Sequence, residues 1–329
     1  VLSVSDDGSV VIPLLGGHRG ANRMASEIAS LLEAKAAVTT AGDVAIGVAL
    51  DEPPLGYRIA NIEDAKEAMA GILAGKGVRI IGENIFGIDS ADDGAVSLTV
   101  SEAPVQGSGA NLVYHPQRFV LGLGSARNAS PEDAWDLVEK TLADAGIAKG
   151  AIACVASLDL KGDEPAMNEV ARRLGVSLRV FTAAELEAEA GRLANPSEVV
   201  FAEVGCHGVS EGAALAAAGP DAVLVVEKQK IADVTCAIAR APLPITEMAG
   251  RSRGRLSVVG IGPGQAAWRT PEVSRLVSEA EELVGYGLYI DLLGPLAAGK
   301  HRADFPLGGE EDRCRYALER AAEGRNVAL

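Results

Sequence analysis

Between Phe119 and Gly175 the hydrophobic pattern switches twice from a short unbroken run to a helical spacing. Phe119-Val120-Leu121 is an apolar run ending in Gly122-Leu123-Gly124-Ser125, and Ser130-Pro131-Glu132-Asp133 follows as a helix start. Ser130 supplies a capping oxygen, Pro131 sits where no backbone donor is needed, and Asp133 is the third helical residue. The pattern predicts a helix to about Gly146, a strand from Ala151 to Ser157, and a second helix from Glu164 to Leu174. Between that strand and its helix lies Leu158-Asp159-Leu160-Lys161-Gly162-Asp163-Glu164. Strands ending in glycine or charge just before a helix build ligand clefts in open α/β sheets, and the same pattern also makes ordinary turns.

Upstream, Val10 to Leu15 reads as a buried strand, followed by Gly16-Gly17-His18-Arg19-Gly20-Ala21-Asn22 and a helix to about Leu32. Glycines entering a helix bare backbone donors at its positive end, which suits a phosphate or carboxylate. The G-x-G-x-x-G spacing of a dinucleotide site is absent. Ala37 to Asp43 reads as the next strand, with Thr40 and Asp43 either facing the same cleft or simply ending it. Asn61 to Leu73 reads as an amphipathic helix that packs Ile62, Ala65, Met69 and Ile72 into the core. Residues 87–118, with short strand-like pieces at Val96 to Val100 and Asn111 to Tyr114 among Gly/Ser/Asp turns, read as the end of a first unit and a linker.

Downstream, Ser177 to Phe181 is a strand, and Thr182 and Glu185 have capping-box spacing. Gly205 to Ala213 leads into a helix ending near Gly219, and small residues there allow close approach of a helix to the sheet or of a ligand. Ala222 to Lys230 and Val234 to Ala239 read as two strands around a charged turn. Ala241 to Arg253, with Pro242, Pro244 and Gly250, reads as an interdomain linker. A new α/β unit then begins with Leu256 to Val259, Gly260-Ile261-Gly262-Pro263-Gly264 and a helix after Thr270-Pro271, and its last helix spans roughly Glu310 to Glu323. The expected fold class is α/β, with two or three open α/β units, the last one truncated. The expected divisions are 1–114, 115–240, a linker 241–253, and 254–329. Both ends read as cut, so a piece of a longer polypeptide is expected.

Composition narrows the function. The 48% apolar and 4% aromatic content fits an alanine- and glycine-rich α/β core. A net charge of −15 argues against nucleic acid, and any polyanionic ligand needs Lys and Arg placed locally. With neither an 18-residue apolar run nor a signal-peptide pattern, the expected compartment is the cytoplasm. Cys154, Cys206, Cys236 and Cys314 are too dispersed for a metal pair, so no metal site is expected. Cys154 and Cys236 sit in apolar runs and read as core. His18 is an acid/base, an anion contact or a plain turn histidine. Glu211 either serves chemistry or meets the helix dipole. Lys228 and Lys230 are either solvated edge lysines or contacts for an acidic ligand.

Three blocks carry a resemblance: IPLLGGHRGAN…VTTAGD, FVLGLGSA…ASLDLKGDEPAMNEVARRLG…FTAAEL and PSEVVFAEVGCHGVSEGAAL. Over about residues 8–240 they resemble the cobalt-precorrin-5A hydrolase family (CbiG, with its stand-alone C-terminal relative CobE) of cobalamin biosynthesis. The stretch GRLSVVGIGPG…RTPEV…LVGYGLYIDLL…GGEEDRCRYALERAAEGRNVAL resembles the first third of a precorrin-3B C(17)-methyltransferase, one of the S-adenosylmethionine-dependent tetrapyrrole methylases.

The resemblance implies opening of a δ-lactone on a tetrapyrrole with release of acetaldehyde. That chemistry needs an activated water, a polarised carbonyl and donors for the substrate's carboxylates. It points to His18, Asp159, Glu164 and Glu211 for acid/base work. For binding it points to Gly16, Gly17, Asn22, Thr40, Asp43, Gly122, Gly124, Ser125, Ser157, Lys161, His207 and Lys228. Gly262, Pro263 and Gly264 match the methylase's first glycine-rich loop. It implies no cofactor for the hydrolase-like part beyond cobalt carried by the substrate, and S-adenosyl-L-methionine for a complete methylase part. Much of that cofactor's pocket comes from sequence absent here, so methyl transfer by these residues alone is not expected. The partners it implies are a tetrapyrrole (precorrin), other corrin-pathway enzymes or a homodimer, with no nucleic acid and no membrane. Two rival readings stand beside it: methyltransferase activity of the parent chain, and a non-catalytic tetrapyrrole-binding module.

Overall fold

A computed structural model describes residues 1–14, 21–37 and 48–329, which form four sheets in an α/β arrangement. The first has β1 (Leu2–Val4), β2 (Val10–Pro13) and β3 (Lys35–Ala36), packed by α1 (Ala21–Leu31). Val11, Ala25 and Ala29 make its small core.

The second sheet has β4 (Tyr57–Ile59), β5 (Val78–Ile81), β6 (Val96–Val100) and β7 (Asn111–Pro116), in the order β4-β7-β6-β5. Its core joins Leu50, Leu98, Leu112 and Tyr114 with α2 (Ala65–Leu73). Region 1–114 therefore holds two cores rather than one. Residues 87–118, expected as a tail and linker, supply this sheet's two central strands. Ile62 is also corrected: residues 62–64 form a short 3-10 turn ahead of α2, and its side chain is 55% exposed.

The third sheet runs β11-β12-β8-β9-β10-β13 and contains the organising stretch. Its strands are β8 (Phe119–Ser125), β9 (Ile152–Leu158), β10 (Ser177–Phe181), β11 (Val223–Lys230), β12 (Val234–Arg240) and β13 (Arg251–Ser252). Strands β8, β9 and β10 are parallel, joined by α3 (Pro131–Ala145) and α4 (Pro165–Leu174). The caps form as the spacing predicts. Ser130 accepts from the Asp133 N–H at 3.3 Å, and Gly146 ends α3 at φ 63°. Phe119, Leu121 and Leu123 face α3 and α4, while Val120 faces the other layer, the period-2 alternation of a strand buried on both sides. That other layer contains α5 (Ala183–Glu187), α6 (Glu198–Val204) and α7 (Val209–Ala218). Cys154 and Cys236 are core, as expected, and burial pushes both thiols up to about 12.

The segment expected as a free linker contributes β13, which pairs antiparallel with β10. Arg179 on β10 donates to the carbonyls of Met248, Ala249 and Gly250, and Gly250 lies against the Phe181 ring, so little of this segment is free to swing. The fourth sheet is all parallel, in the order β14-β17-β15-β16. It comprises β14 (Arg255–Ser257), β15 (Glu282–Tyr286), β16 (His301–Phe305) and β17 (Asn326–Ala328), with α8 (Pro271–Glu279), α9 (Gly287–Asp291) and α10 (Glu310–Ala322). The apolar residues after the last helix form β17, an interior strand.

Candidate functional site

Parallel β8, β9 and β10 deliver their C-terminal ends to one edge of the third sheet, and α3 and α4 begin there. α7 begins there too: a Cβ added to Gly124 would lie 3.4 Å from Val209 Cβ. The glycine at 208 gives α7 no side-chain cap, so its first-turn N–H groups carry the positive end of the helix dipole unscreened by a side chain.

Two loops at this edge are latched together. Arg127 donates from Nη1 to Asp163 Oδ1 at 2.8 Å and Glu164 Oε1 at 2.9 Å, and from Nη2 to the Leu160 carbonyl at 2.7 Å. The second oxygen of Glu164 accepts from the Asn128 N–H at 3.0 Å, and the Glu164 side chain is 2% exposed. Its neighbours Asp163 and Arg127 reinforce each other's charge, the carboxyl held below its ordinary range and the guanidinium above. Asp159 lies 3.3 Å from Arg251 Nη2, and Arg251 lies 3.8 Å from Glu185. The side chain of half-buried Lys161 forms no hydrogen bond or ion pair among the described residues. Ser125 Oγ is buried without a partner among them.

His207 stands in the turn before α7. Its Nδ1 lies 2.8 Å from Glu187 Oε1, and its backbone N–H donates to Glu187 Oε2 at 2.9 Å. The ring stacks on Phe201 with centroids 4.4 Å apart. The Glu187 carboxyl is held below its ordinary range, chiefly by that backbone hydrogen bond. A carboxylate on one imidazole nitrogen sets the tautomer and leaves the other nitrogen to move a proton. Nε2 faces the outermost Glu198 side chain, at 3.5 Å.

Several expected site residues have other tasks. Glu211 is buried, and its oxygens accept from the N–H groups of Asn195 and Lys228 and from Asn195 Nδ2, each at 2.9 Å. A carboxylate so saturated ties three segments together and is poorly placed to activate a water. Burial opposes its charge, yet those bonds win and hold its carboxyl below the usual range. Lys228 Nζ donates to the Asn195 carbonyl at 2.8 Å rather than to open solvent. Gly122 lies under α7, where a Cβ would come 1.9 Å from the Ser210 carbonyl oxygen. Its missing side chain admits a helix, and Ser157, fully buried, donates to the Leu123 carbonyl at 2.8 Å. Glu164 is the latch carboxylate. Asn22 lines a separate cavity of about 560 Å³ with Glu52 and Phe86. His18, Gly16, Gly17, Thr40 and Asp43 lie outside the described residues.

The family described as "Cobalamin synthesis G C-terminus" matches residues 119–239, and "Cobalamin synthesis G N-terminal" matches residues 1–43. Protein CobE of Sinorhizobium sp is 53% identical over 121 residues, covering 37% of this chain and 79% of that protein. The chain belongs to the cobalamin synthesis G family. A cobalt-precorrin-5A hydrolase of Priestia megaterium is 27% identical over 272 residues, covering 74% of this chain and 71% of its own. At the other end, a precorrin-3B C(17)-methyltransferase of Sinorhizobium sp is 42% identical over 76 residues, which span 23% of this chain and 30% of that enzyme.

Sequence reasoning missed Glu187 within the cobalamin synthesis G part and Arg251 just after it. Glu187 stands 20 residues before His207, and no local spacing joins them. Arg251 falls in the stretch that reads as a linker. Beyond it, Gly262 lines a cavity of about 530 Å³ at the ends of β14, β15 and β17, together with Tyr286, Tyr289 and Arg313. Arg313 makes no side-chain hydrogen bond or ion pair among the described residues, and its Nε is buried unpaired. No Asp or Glu lines this wall among the described residues. S-adenosylmethionine carries a carboxylate that Arg313 suits and two positive charges that no Asp or Glu side chain of this wall answers, so the wall by itself supplies only part of such a site.

Proposed function

We propose that the chain opens the δ-lactone of a cobalt-precorrin-5A-type tetrapyrrole and releases acetaldehyde, using the edge where β8, β9 and β10 end. One observation carries this reading: His207, oriented by Glu187, stands at the uncapped start of α7. In this reading Nε2 takes a proton from the attacking water while Nδ1–H stays on Glu187. The first N–H groups of α7 meet the charge developing on the lactone oxygen. Lys161 has no internal partner among the described residues and takes a substrate carboxylate, with Ser125 as a second donor. Asp159, from the end of β9, takes the proton of the hydroxyl freed when the lactone C–O bond breaks. As that oxygen becomes a carbonyl the neighbouring C–C bond breaks, its electron pair takes a proton from solvent, and acetaldehyde leaves. Gly124 is retained as a substrate contact at this edge, and Asn22, Gly16, Gly17, Thr40 and Asp43 as contacts from the N-terminal part of the chain. The pigment and the protein act in the cytoplasm, and the hydrolase-like part uses no cofactor of its own.

Incubating the protein with the lactone intermediate and assaying acetaldehyde tests the reading. Repeated turnover supports it. Stoichiometric pigment binding without acetaldehyde would instead favour the carrier reading. Residues 254–329 are read as the glycine-loop unit of a methyltransferase, with Gly262, Pro263 and Gly264 beside the substrate cleft. S-adenosylmethionine would supply the methyl group in the parent chain, and no step through it is derived from these residues.

A further inference from the structure

The opposite end of the third sheet carries a second concavity. A cavity of about 470 Å³ opens between the second sheet and the N-terminal ends of β9 and β10. Its wall includes Arg58 of β4, His115 of β7, Lys149 and Gly150 just before β9, and Arg173 at the end of α4. Gln106 completes the polar wall, and no Asp or Glu lines it among the described residues. In a chain of net charge −15, this wall gathers three cations and no Asp or Glu among the described residues, with the partner carboxylates of Lys149 and Arg173 just behind it.

Two of the three cations are already ion-paired, Lys149 with Glu139 and Arg173 with Glu132 and Glu169, and Arg58 is the one without a carboxylate among the described residues. Lys149 and Arg173 flank the face of Trp135, at 4.8 Å and 5.3 Å from the ring centroid. Their carboxylate partners, Glu139 for Lys149 and Glu132 and Glu169 for Arg173, stand outside the wall. Arg58 has no carboxylate partner among the described residues. It donates from Nη1 to the Leu174 carbonyl at 2.7 Å, which leaves the rest of its fork to another acceptor. His115 is buried, with Nδ1 on the Ser101 carbonyl at 2.7 Å. That contact and the packing of the ring against Gly150 fix its orientation.

We propose that this joint binds a small multiply charged oxyanion, with Arg58 as its first cationic contact and Lys149 turning to it from Glu139. Guanidinium forks suit paired oxygens, whether they belong to carboxylates or to phosphates. The walls come from two sheets, so an occupant bridges the 48–116 unit to the 119–240 unit and stiffens their joint. The site lies at the other end of the strands from His207 and does not rest on the proposed hydrolysis.

Calorimetric titration of the full chain with citrate and, separately, with pyrophosphate tests the proposal. Saturable one-to-one binding of either probe is expected, with a rise in Tm that follows occupancy. Preference for citrate assigns a polycarboxylate, and preference for pyrophosphate assigns a phosphate. Arg58→Gln and Lys149→Gln should each weaken binding by about tenfold, the scale of one charge-assisted contact. Arg58 also holds the end of α4, so the more exposed Lys149 keeps the test decisive if the Arg58 variant folds poorly. His207→Gln should leave binding unchanged. No saturable binding of either probe, or binding indifferent to Lys149→Gln, overturns the proposal.

Discussion

Arg127 Nη1 and Glu164 Oε1 meet at 2.9 Å across the gap between the loops that follow β8 and β9. Glu164 is almost wholly buried while Arg127 is half exposed, so the pair combines a desolvated acceptor with a hydrated donor. It fixes the spacing of the two loops that carry Ser125, Asp159 and Lys161.

Glu164→Ala strands the Asn128 N–H and frees Arg127. The expected loss of stability is about 2 kcal/mol, the scale of hydrogen bonds to a charged group, below the buried-pair range because Arg127 is exposed. Urea unfolding measures it. Glu164→Gln, which keeps one acceptor oxygen, should lose less than Glu164→Ala, and equal losses would show that the latch contributes little.

Gly122→Ala sets a methyl group against the Ser210 carbonyl, where the added Cβ would come within 1.9 Å of the oxygen, far inside contact distance. Backbone must shift to admit it, so α7 lifts from β8. A cost of about 1–3 kcal/mol is expected from overpacking alone. A Tm equal to that of the parent chain would refute the close-packing explanation of this glycine.

Glu211 predicts a pH dependence. Its folded pKa lies below the ordinary glutamate value of 4.5, so the ionised carboxylate contributes stability above that pH. The contribution is lost as pH falls through the lowered folded value. Glu211→Gln should therefore destabilise at pH 7 by roughly 1–3 kcal/mol, with the gap to the parent chain narrowing as pH falls below the ordinary glutamate range. Denaturant curves across that range check the sign, and a gap that widens in acid would contradict it.

The catalytic reading separates two kinds of residue. His207→Gln removes the proton acceptor and should lower kcat about 100-fold or more, while Lys161→Gln should act chiefly on KM. His18→Ala is the control for a base outside the described residues. If it alone abolishes acetaldehyde release, the base is His18 and not His207.

Much of the scaffold was legible from spacing, because helix starts and stops are local chemistry. Ser130, Pro131 and Gly146 mark the ends of α3, and the Thr182–Glu185 capping box forms at the start of α5. Strand existence was legible wherever apolar residues ran unbroken, as in β8, β9 and β12. The errors lie where a short polar segment gains its structure from a partner strand. Arg251–Ser252 has too little apolar character to announce a strand and becomes one only beside β10. Asn326–Ala328 is mostly apolar but too short to announce a strand, and becomes interior only because β14 and β15 lie on either side.

What the sequence by itself determined is the α/β class, the caps of the main helices and the chemical types available at the strand ends. Only the tertiary structure decided which of those groups remain free. Lys161 and Lys228 look alike in the chain, yet among the described residues one has no internal partner and the other is held by the Asn195 carbonyl. Glu164 and Glu211 are buried as structural ties, whereas Glu187 orients His207. The reason is physical: capping and periodicity act within a few residues, but whether a charge is saturated depends on backbone donors brought up from distant segments.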